Sequence, residues 1–198
     1  MRCFIGLDLT PQAKLALSQW QQRAFPQVSD KKPTSESLGP SLPHAVPAAN
    51  YHLTLCFLGN VTPRQHETLI ATLDTLIHPP FSATLDSAGC WERPKIIFTA
   101  PLHIPKALPE LAKKTRKAAR TAGISLEKRD YKPHVTVIRK ATSALLPPLI
   151  PLDITMSFDA FHLFESVSTP SGVRYLIRHS WDLQSDLSIR ERLRQGLY

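Results

Sequence analysis

Two short stretches of the chain repeat one arrangement of reactive side chains, a histidine followed two residues later by a threonine. They are His52 with Thr54 and His134 with Thr136. Because alternate residues of a β-strand lie on the same side, each histidine is expected to share a face with its threonine. Two imidazoles across a cleft can act as general acid and general base, while two hydroxyls hold an anion between them. The pattern favours cleavage of a phosphodiester without a metal or a covalent intermediate.

The same residues allow other interpretations. They can be structural polar groups, since an imidazole or hydroxyl is costly to bury unless it is hydrogen-bonded. A metal site is weaker, because two histidines without neighbouring carboxylates leave the coordination shell incomplete, and no metal or cofactor is expected. Cys56 shares the expected His52 side of its strand, which leaves a cysteine nucleophile as an alternative, although a small packing residue is favoured.

Composition favours one globular protein of the reducing cytosol. Of 198 residues, 42% are hydrophobic and 20% are charged, which is too apolar for a disordered chain. The three cysteines are widely spaced and lack a Cys-x-x-Cys pair, which argues against a disulfide framework or a zinc site. No apolar run approaches the ~20 residues of a membrane span, and Asp8 interrupts the start where a secretory signal needs apolar residues. We expect a soluble, cytoplasmic monomer.

The net charge of +8 is concentrated in one part of the chain. Between His103 and Lys140, eleven lysines and arginines face three acids, which accounts for the whole excess. A local positive field attracts a phosphate-bearing partner. A solvated helix face that aids solubility is the alternative.

Hydrophobic periodicity predicts an α+β protein with antiparallel sheets. Strands are predicted over 2–9, 51–58, 81–88, 95–99, 134–138, 153–167 and 174–183, with helices from Thr10-Pro11, over 62–77 and 105–122, and in a short terminal extension, 185–198. A proline-rich mobile loop spans 26–49. Leu15 and Ile77 are expected to face inward on their helices. Both histidines are expected in mid-strand, with Phe57 facing the core behind His52 and Arg139 lying opposite His134. No glycine-rich nucleotide loop is present, so neither a dinucleotide nor ATP is expected.

The motifs resemble a known family, the two-histidine (2H) phosphoesterases, and within it the bacterial RNA 2′,3′-cyclic phosphodiesterases, also called 2′-5′ RNA ligases. The similarity covers residues 2–183 and is carried by 2–9, 50–59 and 131–139, with weaker echoes at 89–91 and 172–175. It implies a duplicated fold of two similar lobes, with antiparallel sheets flanking a central cleft. These lobes would form one domain over 1–184.

The resemblance also implies an activity and residue roles. The enzyme would open a 2′,3′-cyclic phosphate at an RNA end, tRNA fragments included, to leave a 2′-phosphate, and the reverse reaction would form a 2′-5′ linkage. His52 would donate a proton to the leaving 3′ oxygen, His134 would accept one from water, and Thr54 and Thr136 would bind the phosphate. Substrate contacts are expected from four further residues: Arg139, Tyr131, Lys132 and Phe57. Base stacking is expected on Phe57 or Tyr131, or on the neighbouring Tyr51.

Other functions stay open at this point. The substrate could be another small cyclic phosphate or a 2′-5′ oligoadenylate. The chain could instead be a non-catalytic basic RNA-binding module, or a scaffold that uses its proline-rich loop as a handle. Paired histidine catalysis predicts a bell-shaped pH profile with limbs near ~6–7, since one imidazole must be protonated and the other free.

Overall fold

A computed structural model describes residues 1–28, 42–128, 130–145, 150–170 and 172–184. Within these ranges the α-helices are α1 (Pro11–Ala24), α2 (Pro63–Leu73) and α3 (Ala107–Thr121). The strands are β1 (Arg2–Asp8), β2 (His44–Ala45), β3 (His52–Asn60), β4 (Phe81–Leu85), β5 (Ser87–Trp91), β6 (Ile96–Ala100), β7 (Val135–Arg139), β8 (Ile154–Phe158), β9 (Ala160–Thr169) and β10 (Gly172–Asp182). The predictions for the loop centre, 29–41, and for the terminal helix, 185–198, lie outside the described residues.

The strands form two four-stranded sheets and one two-stranded sheet. Their orders are β10-β9-β1-β3, β2-β7-β6-β5 and β4-β8, and every pairing between these strands is antiparallel. In the first sheet α1 lies in the chain between the paired strands β1 and β3, and in the second α3 lies between the paired strands β6 and β7. This repeated strand–helix–strand unit confirms the α+β class and the two-lobe antiparallel arrangement.

The starts of the first two helices are fixed by local sequence. The Thr10 hydroxyl accepts a hydrogen bond from the Ala13 amide at 3.2 Å, and Pro11 opens α1. Thr62 and Gln65 form a reciprocal capping box at α2. The inward positions were predicted less well. Leu15 is 60% exposed, and α2 ends at Leu73, which leaves Ile77 beyond the helix and 51% exposed.

Helix α3 has the two faces that its periodicity predicts. Its apolar residues Leu108, Leu111, Thr115 and Ala118 are buried, and Ala122 is buried just after the last turn. The Thr115 hydroxyl donates to the Ala112 carbonyl at 3.0 Å, which satisfies a polar group on the buried side. One hydrophobic cluster joins α3 to buried residues of both four-stranded sheets. Each buried leucine contributes about 2 kcal/mol to this core.

Two predicted strands are each divided by an aspartate. The run 81–88 breaks at Asp86, whose carboxylate accepts from the Leu102 amide at 2.6 Å. The run 153–167 breaks at Asp159, whose carbonyl accepts from the Leu183 amide at 2.7 Å. At both aspartates the chain passes from the two-stranded sheet into a four-stranded one.

The described ends of the proline-rich loop hold structure that periodicity did not predict. Strand β2 adds to β7, and a 3-10 turn over Ala48–Asn50 leads into β3. None of the helices in the described part of the chain is long and apolar enough to cross a membrane.

Candidate active site

Both histidines stand at the entrances of their strands rather than in mid-strand. His52 is the first residue of β3, and His134 directly precedes β7. The Nδ1–H of His52 donates to the Asn50 carbonyl at 2.7 Å, and that of His134 donates to the Lys132 carbonyl at 2.8 Å. A carbonyl can only accept, so Nδ1 carries the proton in each ring. In both imidazoles Nε2 is therefore the nitrogen that gains or loses a proton.

The first threonine lies beside its histidine as the strand geometry requires. The Thr54 hydroxyl is 3.1 Å from His52 Nε2 and donates to it when the ring is neutral. Thr54 pairs across the sheet with Gly6, where a Cβ would meet the Leu53 carbonyl oxygen at 2.9 Å. A glycine is required there because the two backbones approach too closely for a side chain. Thr136 pairs with Phe98 in β6 and is half-buried like Thr54.

Both strands carry a β-bulge three to four residues after the histidine. In β3 the register against β1 shifts so that Leu55 is an extra residue, and both Leu55 and Cys56 are buried. In β7 the register against β6 shifts so that Val137 is extra, and both Val137 and Ile138 are buried. A bulge of this kind breaks strict alternation by one residue. The two lobes therefore share a local irregularity as well as a motif.

The bulges return the next residue of each strand to the histidine side. Phe57 is 64% exposed instead of facing the core, which corrects the expectation from simple alternation. Arg139 is likewise exposed, and its Nη2 donates to the Tyr175 hydroxyl at 3.3 Å, although alternation placed it opposite His134. Phe57 and Arg139 thus hold equivalent positions in the two lobes, one aromatic and one cationic.

Aromatic rings surround each imidazole. The His52 ring centroid lies 4.5 Å from that of Phe4 and 4.8 Å from that of Tyr175. The His134 ring centroid lies 4.6 Å from Trp91 and 5.8 Å from Phe98. These rings limit the water around both histidines, which disfavours the charged imidazolium.

Burial lowers the pKa of both catalytic candidates. For His52 burial lowers the pKa to about 4, against an opposing effect of the Asn50 carbonyl, and the charges of Arg139 and His134 lower it further. For His134 burial again lowers the pKa, the Lys132 carbonyl opposes this, and Arg139 adds to the lowering. Both rings are therefore neutral at pH 7 in the free protein. If these rings are the acid and base, the limbs of the pH profile are expected below the ~6–7 of ordinary imidazoles.

Asn50 and Tyr175 are parts of the site that the motifs did not single out. The Asn50 side chain donates to the Val173 carbonyl at 2.7 Å and accepts from the Tyr175 amide at 3.2 Å, while its own carbonyl holds His52. Tyr175 in turn meets both the His52 ring and Arg139. Strand β10 lies about 120 residues away in sequence, so only the fold brings these groups together.

The remaining predicted contacts differ in how accessible they are. Tyr51 is 1% exposed, which removes it as a stacking surface. Tyr131 packs against the core; burial raises the pKa of its phenol, and its hydroxyl has no hydrogen-bond partner among the described residues. Lys132 is exposed beside His134. Substrate binding by Tyr131 and Lys132 stays a prediction.

The cleft side of the first sheet also holds an ion pair. Lys14 on α1 lies 2.7 Å from Asp8, the residue of β1 that pairs with His52. The positive charge of Lys14 adds to the lowering of the His52 pKa. Across the described ranges no three histidine, cysteine or acidic side chains cluster as metal ligands would.

Comparison with known proteins places the chain among similar sequences and folds. A family model described as LigT like Phosphoesterase matches residues 7–98 and 99–175. An Escherichia coli K12 protein named RNA 2′,3′-cyclic phosphodiesterase is 28% identical over 182 residues, which cover 92% of this chain and 96% of that protein. A Bacillus subtilis protein of the same name is 32% identical over 125 residues, covering 59% and 68% respectively.

Solved structures show the same likeness. The crystal structure of E. coli LigT complexed with 3′-AMP superposes with a TM-score of 0.80 at 27% identity, covering 93% of this chain and 98% of that one. A Thermus thermophilus protein superposes with a TM-score of 0.75 at 23% identity, over 94% of this chain and all of that one, and this likeness bears on the fold alone.

Proposed function

The chain belongs to the LigT-like phosphoesterase family, and from this membership we propose that it hydrolyses 2′,3′-cyclic phosphates at RNA ends to 2′-phosphates. The observation that carries the proposal is the matched pair of histidines. Each lies at the entrance of a strand, and each has its Nδ1–H bound to the carbonyl two residues earlier. This leaves two Nε2 atoms, one from each lobe, to exchange protons with a phosphate between them.

The reaction needs one proton delivered and one removed. His134 Nε2 takes a proton from a water molecule whose oxygen attacks phosphorus. As that bond forms, the bond between phosphorus and the 3′ oxygen breaks, and His52 Nε2–H gives its proton to the leaving oxygen. The products are a 2′-phosphate and a 3′-hydroxyl, and the two histidines end with their proton states exchanged. When the 5′-hydroxyl of a second RNA takes the place of water, the same two proton transfers form its bond to phosphorus and break the bond to the 3′ oxygen, which leaves a 2′-5′ linkage and a 3′-hydroxyl.

The lowered pKa of His52 suits the role of acid once substrate is bound. A cyclic phosphate carries a negative charge, and its arrival beside His52 favours the imidazolium that burial disfavours in the free protein. The anion therefore raises the His52 pKa when it occupies the cleft. An imidazolium held in these surroundings gives up its proton readily as the phosphate charge moves to the leaving oxygen.

The neighbouring side chains have roles that follow from their positions. The Thr54 and Thr136 hydroxyls donate to the non-bridging phosphate oxygens, and Arg139 supplies a positive charge near both histidines. Phe57 offers an exposed ring on the His52 side of β3, on which the terminal base stacks. In the cell the substrates are RNA ends, those of tRNA fragments included. The protein acts on them as a monomer.

The test is turnover of a dinucleotide that ends in a 2′,3′-cyclic phosphate, with EDTA present throughout. Phosphorus NMR reads the position of the product phosphate. We expect a 2′-phosphate, because the leaving group is the 3′ oxygen. A 3′-phosphate product would overturn the assigned regiochemistry. No turnover of this substrate, when the folded protein still binds it, would refute the proposed activity.

A further inference from the structure

One side of α3 carries three exposed cations. Lys113, Lys117 and Arg120 recur at helical spacing, and all three are exposed. None of them takes part in an ion pair among the described residues. The one acid of the helix, Glu110, lies in its first turn. We call these three residues the α3 cationic face.

A groove that contains two lysines adjoins this face. It lies between the end of α2 and α3, has a volume of about 320 Å³, and is lined by Lys114, Lys117, Thr72, Thr75, Leu76, Ile77, Ala118 and Thr121. Lys114 Nζ donates to the Ile77 carbonyl at 2.7 Å, which fixes its ammonium at the groove wall. The Thr72 and Thr75 hydroxyls donate to backbone carbonyls at 2.7 and 2.9 Å. The groups that the groove offers to a phosphate are therefore the ammonium groups of Lys114 and Lys117.

The α3 cationic face lies on the opposite side of β3 from the catalytic histidines. Helix α3 packs on β3 and shares its hydrophobic cluster with Leu55 and Cys56. Burial raises the pKa of Cys56 to about 11, and the charges of Arg116 and Arg120 oppose that rise. His52 lies on the other side of the strand. A helix about 10 Å across therefore separates the exposed cations from the sheet that bears the site.

We propose that the α3 cationic face and its groove bind the phosphate backbone of RNA upstream of the end that lies in the cleft. This inference rests on the proposed function, because it takes the RNA end to be the group in the cleft. A single nucleotide bound beside His52 cannot touch α3, whereas a longer strand that follows the protein surface can. The face therefore selects RNA by length: it strengthens the binding of long RNA and leaves the shortest substrates unaffected.

The experiment compares two double variants that lose the same charge. Lys113→Gln/Lys117→Gln removes two cations from the α3 cationic face, and Arg23→Gln/Arg174→Gln removes two exposed cations elsewhere. Fluorescence anisotropy measures the affinity for a labelled 20-nucleotide RNA with a 2′-phosphate end at several salt concentrations. Turnover of the cyclic-phosphate dinucleotide is measured in parallel.

In a plot of log affinity against log salt concentration, we expect the negative slope of the α3 variant to be less steep by about 1.4. Each phosphate contact on a single strand contributes about 0.7 to this slope. The affinity ratio between 50 and 200 mM salt then falls about seven-fold relative to the unmodified protein. Dinucleotide turnover stays unchanged. An unchanged slope, or an equal loss in the Arg23/Arg174 variant, overturns the inference and leaves the cations as a solvated face. Absent dinucleotide turnover in the unmodified protein counts against the proposed function instead, because the slope is measured without catalysis.

Discussion

Protonation of His52 is expected to destabilise the fold, and the size of the effect follows from its surroundings. In the folded protein burial lowers the His52 pKa to about 4, whereas an unfolded chain has an ordinary histidine near ~6.5. The unfolded state therefore binds the proton more tightly. The stabilising contribution is complete above pH 6.5 and is lost as the pH falls from 6.5 towards 4.

The magnitude is worked from that difference in pKa. Each pH unit between the two values costs about 1.4 kcal/mol of folding free energy, so the full loss is about 3 kcal/mol. At pH 4.5 most of this stabilising contribution has been lost. This is a sizeable part of the 5–15 kcal/mol, roughly, that keeps a domain folded.

Urea unfolding at pH 7 and pH 4.5 measures the effect, with His52→Asn as the perturbation. Asparagine keeps a donor for the Asn50 carbonyl but does not titrate. Carboxylates and other histidines titrate in both proteins, so the quantity of interest is the difference between their losses. We expect the unmodified protein to lose roughly 2–3 kcal/mol more than His52→Asn over this pH interval.

The control is His103→Asn, which removes an exposed histidine. Its loss should match that of the unmodified protein within about 0.5 kcal/mol. If His52→Asn and the unmodified protein lose equal stability, His52 is not held in its neutral form by burial, and the reasoning about its surroundings is refuted.

Three further predictions follow from the same contacts. Arg139→Gln removes a charge that lowers the pKa of both His52 and His134. The pH profile of kcat/KM for the cyclic dinucleotide should therefore peak below pH 6.5 in the unmodified protein and at a higher pH in the variant. A move of the variant's profile to lower pH would contradict this reasoning. Asn50→Ala leaves the Tyr175 amide and the Val173 carbonyl without their side-chain partner. Urea unfolding should show a free energy of unfolding lower by about 1–3 kcal/mol, and kcat should fall as well. An unchanged kcat would show that Asn50 does not contribute to the site. Gly6→Ala places a methyl group 2.9 Å from the Leu53 carbonyl oxygen, and calorimetry should show destabilisation of about 1–3 kcal/mol; equal thermal stability would show that β1 and β3 can separate to admit it.

The features that the sequence predicted are those that depend on neighbouring residues. The caps at Thr10 and Thr62 and the two faces of α3 follow from side chains within one or two helical turns. The paired motifs at 52–54 and 134–136 also belong to this class, because two residues on one strand face are enough to mark them. Local sequence is therefore enough to predict the candidate site.

The features that it did not predict depend on distant partners. The bulges that return Phe57 and Arg139 to the cleft are set by pairing with β1 and β6, so alternation within one strand gives the wrong face for both. The same holds for Asn50, whose two side-chain partners lie in β10. At Asp86 and Asp159, where the chain passes between sheets, each aspartate is hydrogen-bonded to a distant segment.

A change of the leaving group separates the proposed role of His52 as the acid from that of His134 as the base of the same reaction. With an ordinary cyclic phosphate, His52→Ala and His134→Ala should each lower kcat by about 10²–10⁴-fold. In a cyclic analogue with sulfur in place of the 3′ oxygen, the sulfur leaves as a thiolate and needs no proton from the enzyme.

We expect the sulfur substrate to restore most of the kcat of His52→Ala and little of that of His134→Ala. This asymmetry follows because only the acid becomes dispensable when the leaving group is good. Rescue of His134→Ala instead would reverse the two roles. Equal rescue of both variants, or of neither, would contradict the assignment of separate acid and base functions to the two lobes.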